Sequence, residues 1–125
     1  MKYLIMFTDT LIDYKKCKEV LEPVFQKIII NENGGSYGNP PKSFYFDIEY
    51  EREAESIEPL DEDMRAKIPI KNPYCTNLDF HFEDLAKKVV GLFKSMYPEL
   101  YIYEDQINWF GTAEEYINLD YNKFN

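Results

Sequence analysis

A chain of 125 residues, 45% apolar and 30% charged, is long enough to bury one core unaided and too short for a second, so residues 1–125 are read as a single domain. Its net charge of −9 argues against a nucleic-acid or anionic-membrane surface and favours cations or a basic protein as partner. Cys17 and Cys75 lie too far apart for zinc-finger spacing and are too few for a disulfide framework.

Lys2 to Thr8 is a nearly continuous apolar run, the mark of a buried central strand. It is too short for an export signal, and no later run approaches a membrane span, so a soluble cytoplasmic protein is expected. Thr8, Asp9 and Thr10 offer capping oxygens to a helix whose apolar stripe runs Tyr14, Cys17, Leu21, Val24/Phe25 and Ile28. The stripe keeps its phase across Pro23, which predicts a kinked helix. Asn31 to Lys42 reads as a long glycine-containing loop without the Gly-Lys-Ser/Thr ending of a phosphate loop.

Ser43 to Glu53 alternates strictly, with Phe44, Phe46, Ile48 and Tyr50 on one face and Tyr45, Asp47, Glu49, Glu51 and Glu53 on the other. One face requires a core. The other is a row of carboxylates headed by a tyrosine. Residues 47–63 hold nine acids and a single base, Arg52, while the rest of the chain is close to neutral. The acidity is therefore a patch, continued by Asp61, Glu62 and Asp63 in a charged connection after the strand. These three lack the spacing and glycine of a calcium loop, and no metal or other cofactor is expected.

Ile68-Pro69-Ile70 suggests an edge strand, since proline interrupts the ladder. Leu78, Phe80 and Phe82 alternate with Asp79, His81 and Glu83 in a further half-buried strand. The following helix carries the stripe Leu85/Ala86, Val89/Val90, Phe93 and Met96/Tyr97 and stops at Pro98. Leu100 to Glu104 reads as a strand, Asn108 to Gly111 as a turn, and Thr112 with Glu115 as the capping box of a short last helix. The order predicts an α+β two-layer sandwich with the βαββαβ succession of the ferredoxin-like fold and an aromatic-rich C-terminal extension. Two helices then cover one sheet face, and the carboxylate row lies on the other or against the extension.

His81 with Asp79 could act as a general acid, and Cys75 shares their parity as a conceivable nucleophile, which makes a small ligand-binding or enzymatic domain the alternative reading. A solvated polar face and a small buried thiol are the plainer readings, and no residue is assigned a catalytic role. The carboxylate row has its own plain reading, protection of an edge strand against aggregation. Yet the charge exceeds that need, and evenly spaced acids on a rigid strand resemble a phosphate backbone to Arg and Lys. Eleven tyrosines point the same way, because tyrosine anchors interfaces.

In size, acidity and aromatic content the chain resembles the small inhibitor proteins that neutralise bacterial toxins, a likeness of composition rather than motif. The expected function is a non-enzymatic binding module, an immunity-type inhibitor of a basic toxin or nucleic-acid-acting protein. Its expected contacts are Asp47, Glu49, Glu51, Glu53, Asp61 and Glu62, with exposed Tyr45, Tyr101 and Tyr103 as anchors.

Overall fold

The computed structural model describes residues 1–38, 43–50 and 60–124. These form β1 (Lys2–Thr8), α1 (Tyr14–Leu21), β2 (Ile29–Asn31), β3 (Gly34–Tyr37), β4 (Phe44–Ile48) and α2 (Glu62–Lys67). There follow β5 (Tyr74–Phe80), α3 (Glu83–Met96), β6 (Tyr101–Glu104), β7 (Trp109–Thr112), α4 (Ala113–Ile117) and a 3-10 turn, Tyr121–Phe124. All seven strands join one antiparallel sheet in the order β2-β3-β4-β5-β1-β6-β7. The fold is mixed α+β.

The apolar run of β1 takes the middle of the sheet, where both neighbours satisfy its backbone and five successive residues, Leu4 to Thr8, are buried. Pleating sends Leu4 and Met6 to one face, where they meet Phe44, Phe46 and Ile48 of β4, Leu78 and Phe80 of β5 and Ile102 of β6. Cys17 and Leu21 of α1, Ala86, Val89, Val90 and Phe93 of α3, and Tyr116 of α4 close this core. Full burial of each Leu, Ile, Val, Met or Phe among them stabilises the fold by roughly 1.5–3 kcal/mol. α1 starts where Asp13 Oδ1 accepts the Lys16 N–H at 2.9 Å. α4 starts on a reciprocal pair: Thr112 Oγ1 accepts from Glu115 N at 3.1 Å, and Glu115 Oε1 accepts from Thr112 N at 2.9 Å.

Several expectations are corrected. The first helix ends at Leu21 instead of kinking through Pro23, and Lys27 turns the chain with a φ of +64°. Its apparent continuation, Ile28 to Ile30, is a β-branched run that prefers a strand. The expected loop after Asn31 is instead a tight hairpin, β2–Glu32–Asn33–β3, braced by the Asn31 side chain accepting from Asn33 N at 2.8 Å. The charged connection contains α2, which Asp61 caps by accepting from Met64 N at 2.7 Å, and no strand forms at Ile68–Ile70. Phe82 has left the strand and stands 58% exposed before α3. The strand through Phe44 stops at Ile48, and its carboxylates Glu51 and Glu53 lie outside the described residues.

Candidate protein-binding face

The second sheet face is divided. Ile5 and Phe7 of β1, Cys75 of β5 and Tyr103 of β6 form an apolar half, roofed by Leu60 and by Met64 of α2. The other half is polar and lies over β4, β5 and the start of β1. Register sets its rows: Ser36, Tyr45, Asp79 and Tyr3 stand side by side on four adjacent strands. Gly34, Asp47, Asn77 and Ile5 form the next row. Strands lie about 4.8 Å apart, so these side chains form a single contact surface.

Asp47 is exposed, while Tyr45 and Asp79 are half-buried. Burial and the neighbouring Asp47 carboxylate push the Asp79 carboxyl above the usual carboxylate range, partly opposed by the Tyr45 hydroxyl and the N-terminal amino group. Burial, Asp79 and Asp47 likewise raise the Tyr45 hydroxyl, and burial with Asp105 pushes Tyr3 up to about 12. Both tyrosines therefore remain neutral near pH 7, with a hydroxyl donating toward a carboxylate. The surface is negative, aromatic and oriented by its own hydrogen bonds. At its end Asn77 Nδ2 donates to Glu49 Oε1 at 3.3 Å.

The remaining sequence candidates are placed differently. Asp61 spends its carboxylate on the α2 cap, and Glu62 is exposed in the first turn of that helix. Tyr101 is half-buried and stacks on Phe110, with ring centroids 6.1 Å apart and planes at 3°. Tyr103 was expected to be exposed and is instead buried, its hydroxyl donating to Asn108 Oδ1 at 3.2 Å. Of the C-terminal aromatics expected as a cover for this face, Phe110 packs against its apolar half, whereas Trp109, Tyr116 and Tyr121 join the helix-side core.

His81 lies exposed just beyond β5, with Phe82 at 6.3 Å between ring centroids. Cys75, six positions back along an extended chain, is ~20 Å away. Burial and then Glu49 push its thiol up to about 12, which removes the thiolate that nucleophilic chemistry needs. No described group of His, Cys, Asp and Glu forms a metal-holding cluster. Among the described residues no helix is long and apolar enough to cross a membrane.

Sequence reasoning missed one chemically conspicuous residue. Glu104 is fully buried on the helix side of β6, with Oε1 accepting from Gln106 N at 2.6 Å and Oε2 lacking a hydrogen-bond partner. The Tyr121 hydroxyl adjoins the carboxyl, and Tyr116 and Tyr121 share a 2.7 Å hydroxyl contact. Lys2, paired with Glu83 at 2.8 Å, and Lys87 lie over the Tyr121 ring. Burial raises the Glu104 carboxyl, against the opposing pull of Tyr121, Gln106 N–H and Lys2.

A carboxyl raised on folding contributes its stability below the unfolded value of roughly 4.3 and loses it as pH climbs through the raised value. Glu104→Gln is therefore expected to match the wild type near pH 4 and to exceed it by about 1–2 kcal/mol near pH 8, because no charge is then buried. Urea titrations at both pH values check this; a difference independent of pH would mean that folding leaves the titration of this carboxyl unchanged. The signal was available in the sequence, since Leu100, Ile102 and Glu104 share one parity in a strand facing a core.

No family model matches the chain, and neither does any curated protein or solved structure.

Proposed function

We propose that the chain is a non-enzymatic, acidic protein-binding module, an immunity-type inhibitor that occupies the basic surface of a toxin or nucleic-acid-acting protein. The observation that carries this reading is the row of Tyr45, Asp47 and Asp79 on the part of the sheet face that α2 leaves uncovered. Rigid adjacent strands hold these groups before any partner arrives, so little ordering entropy is lost on binding. Arginine matches such a surface twice, through paired hydrogen bonds to carboxylates and through contact with the Tyr45 ring. The net charge of −9 steers a basic partner toward the face and gives association a strong salt dependence.

The scaffold reading goes with it. The inner strands β4-β5-β1-β6, with α1 after β1 and α3 between β5 and β6, support a ferredoxin-like core enlarged by a hairpin on one edge and a strand on the other. Action in the cytoplasm is supported by two buried cysteines that remain free thiols.

The test is capture from host lysate at low salt followed by affinity measurement with the partner so identified. Asp47→Lys combined with Glu49→Lys is expected to weaken binding by about 30–100-fold, roughly 2–2.7 kcal/mol. Lys88→Glu with Lys94→Glu on α3 should change it by no more than about twofold. Equal losses from the two pairs would remove the assignment of the face.

A further inference from the structure

The end of the sheet nearest this face is β2, and no described strand pairs with its outer side. Edge strands are ordinarily blunted by charge, proline or a covering segment. β2 reads Ile29-Ile30-Asn31 and carries none of the first two, and Ile29 is 68% exposed. A concavity flanks the strand on each face of the sheet. On the acidic face a cleft of about 220 Å³ opens above β3, between Ile29 and Asn31 on one side and Tyr45 and Asp47 on the other. Its floor is low because β3 begins Gly34-Gly35-Ser36. On the helix face a cleft of about 400 Å³ is lined by Phe25, Ile28 and Ile30, with Lys18, Glu22 and Lys27 around it.

An extended chain added to an edge sends alternate side chains to alternate faces. Here one set meets a mixed recess, apolar at Ile28 and Ile30 and rimmed by Lys18, Glu22, Gln26 and Lys27, and the other meets a trough with Tyr45 and Asp47 on its far wall. We propose that β2 is the docking edge for an extended segment of the basic partner, added as an eighth strand, whose residues alternate between apolar and arginine or lysine. The proposal rests on the acidic-face reading and deepens it, naming how the partner is held as well as why it is attracted. The long basic side chains lean over β2 into the cleft above β3, whose far wall on β4 carries Asp47 and Tyr45, while the intervening apolar residues meet Ile28 and Ile30 on the helix face. A second copy of this chain is the disfavoured occupant, because pairing two β2 edges brings together two acidic faces on chains of charge −9.

The test uses the full chain against a display library of randomised segments about seven residues long, selected at low salt. Selected segments are expected to alternate Val, Ile or Tyr with Arg or Lys and to slow amide exchange in β2. Methylating alternate backbone nitrogens of a selected peptide leaves its charge intact, and it is expected to lower affinity at least tenfold by removing ladder donors. Basic segments without alternation, indifferent to methylation, would overturn strand addition while leaving the acidic face as a charged surface. Enrichment of no basic segment would overturn both readings. Concentration-dependent dimers abolished by Ile30→Pro would give the edge to a second copy and overturn the basic occupant.

Discussion

Replacing Phe44 with alanine is expected to remove about 3–5 kcal/mol of stability, the usual loss when a buried phenylalanine leaves a cavity that its surroundings only partly fill. Phe44 is fully buried and stands opposite Phe80 in the sheet. The Phe25 ring meets it edge-on at 5.1 Å, and Tyr37 stacks on it at 5.4 Å and 25°. Those three rings come from the segment after α1, from β3 and from β4, so one side chain fastens the hairpin to the main core. A domain of this size has only about 5–15 kcal/mol in total. Phe44→Leu retains most of the volume and should cost clearly less. Denaturant midpoints measure both losses, and amide exchange should show β2 and β3 loosening first. A small loss spread evenly over the sheet would mean that the aromatic cluster does not hold the edge.

Gly34→Ala is expected to cost about 3 kcal/mol through backbone geometry alone. Gly34 has a φ of +148°, and a Cβ there would lie 1.9 Å from the Phe46 carbonyl oxygen. That oxygen belongs to the neighbouring strand and has no freedom to swing aside, so β3 must separate from β4. The helices α1 and α3 pack on the inner strands and should keep their helical signal. The variant therefore separates two quantities that core truncation mixes: overall folding survives at reduced stability, while the edge beside Tyr45 and Asp47 is lost. Wild-type protection of the β2 and β3 amides in the variant would show that the strand tolerates the side chain after all.

Much of this architecture was legible because it follows from local periodicity. The alternation Phe44, Phe46, Ile48 identified β4 and its buried face, the stripe Ala86 to Phe93 identified α3, and Thr112 with Glu115 marked the start of α4. The hairpin was hidden because Val24, Phe25 and Ile28 continue the helical phase of α1, and a phase match outweighed Pro23 and the β-branched run. α2 was hidden because Met64 is its one buried anchor, within a stretch of charge. The candidate face was half legible. Strand parity gave Tyr45, Asp47 and Glu49, but only the register of β4 on β5 sets Asp79 opposite Tyr45 and Asn77 opposite Asp47. Pairing across sequence-distant strands has no local signature. Tyr103 was misjudged because α2, unseen in the sequence, supplies the apolar roof that buries it.

The central place of β1 also sets a timetable. Register pairs its Leu4 with Leu78 on one side and with Glu104 on the other. Both partners come late in the chain, and pairing over such separations is slow because loop closure precedes any reward. During synthesis Leu4, Ile5, Met6 and Phe7 emerge well before β5 and β6 exist to sandwich them. A nascent chain of this protein thus carries this apolar segment unpaired until β5 and then β6 have followed it, an interval in which it is open to aggregation.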